Sequence, residues 1–123
     1  MVDFWEVVRR AELTGPKVEG RDFDMKHVAL KVVELQQEHG IKYDPEILVP
    51  NEGGLADDVW QAAIELLLHS GVYYAQTGRV IRFTEEEIME EIRNSPKKLT
   101  LGEGEDEITV MSRDVDDTSP PKV

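Results

Sequence analysis

The sequence has 123 residues, the length of one modest domain, and it contains no cysteine. Its 26 Asp and Glu residues outnumber its 14 Lys and Arg residues, for a formal net charge of −12 at pH 7. That charge would repel a polyphosphate and excludes nucleic acid as a partner. The lack of cysteine excludes disulfides, thiolate metal sites and thiol catalysis.

No run approaches the ~18 apolar residues of a membrane span. The start also lacks the pattern of a signal peptide, so we expect a cytoplasmic protein with no membrane contact.

Apolar residues at helical spacing predict the first two helices. The first covers about residues 3–14, with Asp3 as a candidate N-cap and Gly15-Pro16 as its end. The second covers about residues 22–39, with Asp22 and Asp24 as candidate N-caps, and Gly40 is expected to adopt the left-handed conformation after its end. Its predicted buried stripe consists of Met25, Val28, Ala29, Val32 and Leu35.

A third helix is predicted over about residues 55–70 and ends at Gly71. It carries two apolar stripes, one made of Leu55, Val59, Ala62, Ala63, Leu66 and Leu67, the other of Trp60, Ile64 and Leu68. So much apolar surface is typical of a central helix. Three other short helices offer little to cover both stripes, which favours self-association or a partner. The alternative is that the following hairpin, with Tyr73 and Ile81, covers the second stripe.

After Gly71, the spacing of the apolar residues is no longer that of a helix. Residues 72–83 are rich in β-branched and aromatic side chains and predict a hairpin that turns at Gly78. Thr84 and Glu87 form a capping box that opens a helix over about residues 84–94. A second hairpin is predicted from alternating apolar residues around the loop at 102–105, namely Leu99, Leu101, Ile108 and Val110.

These elements predict an α+β fold, a cap of about four helices with one or two β-hairpins. We divide the chain into a helical and hairpin domain at residues 1–96 and an acidic extended segment at residues 97–123. Seven acids and one arginine lie between Glu103 and Asp117, which places half of the net charge there.

Residues capable of catalysis or metal binding form no convincing group. His39 and His69 both stand at predicted helix ends, where the helix dipole favours imidazolium. His27 and His39 are twelve residues apart, which is not the i, i+4 spacing of a zinc site. The acids of residues 85–91 fit a capping box followed by a solvated helix face. We therefore assign no catalytic, cofactor-binding or metal residue.

The order of several runs resembles the amino-terminal part of the monomethylamine:corrinoid methyltransferases of methanogenic archaea. The resemblance extends from about Phe4 to Pro121. The runs that carry it lie at residues 22–26 (DFDMK), 34–41 (ELQQEHGI), 65–68 (ELLL), 71–74 (GVYY), 77–88 (TGRVIRFTEEEI) and 101–106 (LGEGED), followed by the segment from Ser112 to Pro121. No single run is diagnostic, but their collinear order is.

The resemblance implies a much longer enzyme. Members of that family resemble TIM barrels in which an encoded pyrrolysine binds methylamine and presents its methyl group to Co(I) of a partner corrinoid protein. Active sites of such barrels lie on loops after the barrel strands, and none of those strands is in this sequence. No family catalytic residue can therefore be transferred to this chain, which by itself is expected to bind no cofactor and to be inactive.

Two explanations of the short length stay open. In the first, the chain is the amino-terminal domain or a fragment of a methyltransferase, is itself non-catalytic, and has the remainder of the enzyme, a corrinoid protein or a second copy as its partner. In the second, it is a stand-alone acidic domain for assembly or interaction without enzymatic activity.

Overall fold

The computed structural model of the chain describes residues 2–50, 53–114 and 116–120. Within them, four continuous helical stretches and two antiparallel hairpins follow one another. Helix α1 runs over Phe4–Arg9 and continues as a π-helix over Arg10–Thr14. Helix α2 consists of Gly20–Asp22, a π-helical part at Phe23–Ala29, and Leu30–Glu38. Helices α3 and α4 are Gly53–Ser70 and Glu85–Asn94.

The strands are short and pair within their own hairpins. Strand β1 (Val72–Tyr74) pairs with β2 (Arg79–Ile81), and Tyr73 lies opposite Val80. Strand β3 (Lys98–Leu101) pairs with β4 (Ile108–Met111) across a 3₁₀ turn at Gly104–Asp106. The predicted α+β fold and both predicted hairpins are confirmed, and the described residues contain no barrel.

Several predicted helix ends are also confirmed. Asp3 accepts a hydrogen bond from the Trp5 backbone N–H at 3.2 Å and caps α1. Thr84 and Glu87 form both bonds of the capping box that begins α4. Gly71 has a φ of +67° at the end of α3, and a Cβ there would lie 2.5 Å from the Ile81 carbonyl oxygen. This turn therefore requires glycine both for its φ and for the close approach of β2.

The prediction of Asp22 or Asp24 as the N-cap of α2 is wrong. Glu19 is the cap, and its side chain accepts from the Asp22 backbone N–H at 3.1 Å. The preceding connector is held on the edge of the first hairpin, because Val80 N–H donates to the Pro16 carbonyl and Val18 N–H donates to the Gly78 carbonyl, both at 2.9 Å. The chain leaves this edge at Val18 and turns directly into the helix.

The predicted buried stripe of α2 is correct only in part. Leu35 is 2% exposed, but Met25 is 55% exposed and Ala29 is also exposed, whereas Phe23 is buried. The π-helical part explains the difference. Its hydrogen bonds span five residues instead of four, so residues 23–29 do not follow the 3.6-residue period on which the stripe was based.

Burial is concentrated in residues 11–88. Val80 is completely buried, and the other buried apolar residues are Ala11, Phe23, Leu35, Ala62, Ile64, Ile81 and Ile88. By contrast, every residue of β3 and three of the four in β4 are exposed. The division into domains at residues 96 and 97 stays a prediction, and residues 115 and 121–123 of the second part lie outside the described residues.

Candidate functional site

One feature of the described residues that suits recognition is an apolar groove between α1, α3 and α4. It has a volume of about 750 Å³. Its walls are made of Val2, Phe4, Val7, Trp60, Ala63, Ile64, Leu67, Phe83, Glu87, Ile88, Glu91 and Ile92. We call this surface the α1/α3/α4 groove.

Large apolar side chains remain in contact with solvent at the groove. Trp60 of α3 is 50% exposed, and Phe4 of α1 is 69% exposed. On the same predicted stripe as Trp60, Ile64 is buried. Helix α3 is therefore covered at Ile64 and uncovered at Trp60, and whether the hairpin with Tyr73 and Ile81 provides that cover stays a prediction. Whether a partner or a second copy covers Trp60 stays a prediction.

The groove continues along α3 past Trp60. A smaller depression of about 420 Å³ follows, and Trp60 and Ala63 belong to the walls of both. The other walls of the depression are Pro50, Leu55, Ala56 and Val59. The uncovered apolar face thus runs along most of the helix that sequence analysis placed at the centre.

An ion pair fixes the relative position of two walls of the groove. Arg10 donates from Nη2 to Glu87 Oε1 at 2.7 Å and from Nη1 to Glu87 Oε2 at 2.9 Å, which joins α1 to the first turn of α4. Arg10 also donates to Glu6 and to the Arg82 carbonyl. The Arg10 guanidinium, together with the backbone hydrogen bond from Thr84, lowers the pKa of Glu87 to about 2. Hydrogen bonding to Glu87 raises the pKa of Arg10.

Two acids of α4 are engaged in structural contacts. Glu87 serves the capping box and the Arg10 pair, and Glu91 Oε1 accepts from the Val2 backbone N–H at 2.8 Å. These contacts agree with the reading of this acidic stretch as a cap and a helix surface. Glu87 and Glu91 are also the two charged residues in the walls of the groove.

The three histidines all lie between α2 and α3. His39 Nε2 is 3.1 Å from Glu65 Oε1, a contact between the end of α2 and the middle of α3. The rings of His27 and His69 are 6.1 Å apart, and His27 also stacks on Phe23. Burial, followed by the positive charge of Lys31, lowers the pKa of His69. Sequence spacing missed the His27–His69 pair because it arises from helix packing alone.

The histidine pair does not extend into a metal site. Among the described residues, no group of three or more His, Cys, Asp or Glu side chains could hold a metal ion. No described helix combines the length and apolarity that crossing a membrane requires. The assignment of no site residue to this chain stays a prediction.

Comparison with known proteins identifies the relatives of this fold. The profile of the family described as "Monomethylamine methyltransferase MtmB" matches residues 2–123. The monomethylamine methyltransferases MtmB1 of Methanosarcina acetivorans and MtmB of Methanosarcina mazei are each 35% identical over 121 residues. MtmB1 of Methanosarcina barkeri is 32% identical over the same length. Each alignment covers 98% of this chain and 26% of the relative, so the chain spans about a quarter of their length.

Two crystal structures have the same fold over this region. They are the Methanosarcina barkeri monomethylamine methyltransferase and a hydroxylamine MtmB complex. Each matches with a TM-score of 0.85 and 31% sequence identity, over 95% of this chain and 25% of the solved one.

Proposed function

Because the chain belongs to the monomethylamine methyltransferase MtmB family, we propose that it serves as the amino-terminal region of an enzyme that transfers the methyl group of monomethylamine. Its role there is structural. It provides a folded cap on which the catalytic part of the polypeptide rests.

One observation carries this proposal. The chain matches its relatives over 98% of its own length but over only 26% of theirs, and the matched region is their amino-terminal part. Three-quarters of each relative therefore lies outside the match. The contacts of Glu87, which serves a helix cap and an ion pair, and of His39, which joins α2 to α3 through Glu65, support the same assignment.

The corrinoid, its carrier protein and the pyrrolysine that the resemblance implies are assigned to parts of the system outside this chain. The α1/α3/α4 groove does not fit a corrinoid that needs an axial nitrogen ligand. Its walls combine apolar side chains with two carboxylates and include no histidine among the described residues. The cytoplasmic location also stays a prediction.

A chimera tests the proposed function. The 121 matched residues of the Methanosarcina barkeri enzyme are replaced by this chain, and methyl transfer from monomethylamine to the reduced corrinoid protein is followed in the absorption spectrum of the cobalt. We expect the chimera to form methyl-Co(III), and we expect the enzyme without its amino-terminal region to form none. The isolated chain should also form none, because it supplies the cap alone.

Two results would contradict the proposal. Methyl-Co(III) formed above background by the isolated chain would show a catalytic site in this chain. A folded but inactive chimera would favour the alternative, a stand-alone acidic interaction domain with a partner of its own.

A further inference from the structure

We propose that the α1/α3/α4 groove is the docking site for a protruding apolar segment of the methyltransferase polypeptide outside the matched region. This inference rests on the proposed function and adds to it the surface that makes the contact. The groove is concave, its walls are mostly apolar, and Trp60 in its wall is half exposed although the neighbouring Ile64 is buried. Contiguous apolar surface of this kind marks an interface more often than a solvated surface.

The length of the relatives identifies the occupant. About three-quarters of their chain lies outside the match, and the proposed function places that part against the amino-terminal region. An apolar groove framed by three helices is a suitable receptor for a helix edge or loop that presents apolar side chains. The uncovered face runs on along α3 to Leu55, which gives such a segment a track longer than the groove itself.

Shape and charge argue against a second copy as the occupant. In a two-fold dimer the same surface meets itself, and two concave grooves placed face to face would leave a void. Each copy also carries a formal net charge of −12, and the charged wall residues of the groove, Glu87 and Glu91, are both acidic. Two such surfaces repel each other, whereas a segment that is neutral or basic at its flanks does not.

The absence of cysteine from this chain makes the proposal testable by thiol labelling. Ala63 lies in the wall of the groove, and Ala29 lies on α2 outside those walls; both are exposed helical alanines. Ala63→Cys and Ala29→Cys are prepared in the isolated chain and in the chimera with the Methanosarcina barkeri enzyme. The rate of alkylation at each introduced cysteine is followed by peptide mass spectrometry.

In the isolated chain, both introduced thiols should react at similar rates because both positions are open to solvent. In the chimera, we expect the Ala63→Cys thiol to react at least about tenfold more slowly, with the Ala29→Cys thiol unchanged. The inference is overturned if the Ala63→Cys thiol stays equally reactive in an active chimera, a result that leaves the proposed function intact.

Two further outcomes also contradict the inference. Protection of the Ala63→Cys thiol in the isolated chain that increases with protein concentration would identify a second copy as the occupant. An inactive chimera with a reactive Ala63→Cys thiol would contradict the proposed function and the docking site together. Alanine to cysteine is a small change at an exposed position, so we expect each variant to fold. Circular dichroism checks this independently.

Discussion

The helical part of the molecule, residues 4–94, and the β3–β4 hairpin, residues 98–111, use apolar side chains in different ways. In the helical part, residues such as Val80, Leu35 and Ile88 are buried. In the hairpin, Leu99 lies opposite Val110 and Leu101 lies opposite Ile108, so one apolar face is built, and it stays exposed. An isolated two-stranded hairpin is marginally stable in water, and here the apolar strand pattern is complete although its apolar face is not buried.

The largest difference in stability between the two regions should appear when the same substitution is made in each. Leu35 is 2% exposed and Leu99 is 53% exposed. We expect Leu35→Ala to lower the free energy of unfolding by about 2–5 kcal/mol, because it removes buried methyl groups and leaves a cavity. Leu99→Ala should cost less than about 0.5 kcal/mol, as for a surface position.

Urea unfolding followed by helical circular dichroism measures both leucine variants. If Leu99→Ala destabilises the helical part as strongly as Leu35→Ala does, the hairpin must pack on the helices, and the expected difference between the two regions is wrong. Leu99→Ala is also made in the chimera. A larger effect there than in the isolated chain would show that the rest of the enzyme covers this face.

Features encoded within a few residues could be predicted from the sequence. The capping box at Thr84, the left-handed Gly40 and both hairpins depend on local chemistry, and the structure contains them where the pattern placed them. Helix α3 begins at Gly53, two residues before the predicted Leu55. The prediction was based on the spacing of apolar side chains, and glycine has no side chain.

Features that depend on tertiary packing could not be predicted in the same way. Glu19 caps α2 because the preceding connector pairs with the first hairpin, a contact between residues about sixty apart. The π-helical parts shift which residues of α2 face inward. The groove required knowledge of how α1 and α4 stand beside α3, so sequence analysis identified the apolar face of α3 without its concave shape.

A smaller effect on the free energy of unfolding is expected when the ion pair that joins α1 to α4 is broken. Glu87→Gln keeps a side chain that can complete the capping box but removes the charge that binds Arg10. We expect a loss of about 1–2 kcal/mol in the free energy of unfolding at pH 7. Glu103→Gln, an exposed acid in the hairpin loop, is the charge-matched control and should cost close to nothing.

The pH dependence of the Glu87 effect has a defined sign. The pKa of Glu87 is lowered from 4.5 to about 2, so the folded state favours the carboxylate and gains stability above the ordinary value. The difference between the native chain and Glu87→Gln should therefore be complete above pH 5. It should shrink as the pH falls from 4.5 towards 2. A difference that stays constant over this range would show that the Arg10 contact contributes through packing and not through charge.

The smallest effect on the free energy of unfolding is expected from the titration of His69. This effect belongs to the helical part, because residues 98–111 contain no histidine. Burial, Lys31, His27 and Arg82 lower the pKa of His69, while Glu34 acts in the opposite direction. A lowered pKa in the folded state means that the unfolded state binds more protons below the ordinary value of 6.5, so stability should fall as the pH decreases through 6.5. Solvent screening keeps this loss to a fraction of a kcal/mol. His69→Gln should flatten the dependence measured by thermal unfolding between pH 7.5 and 5.5, and an equally steep curve in that variant would assign the effect to another group.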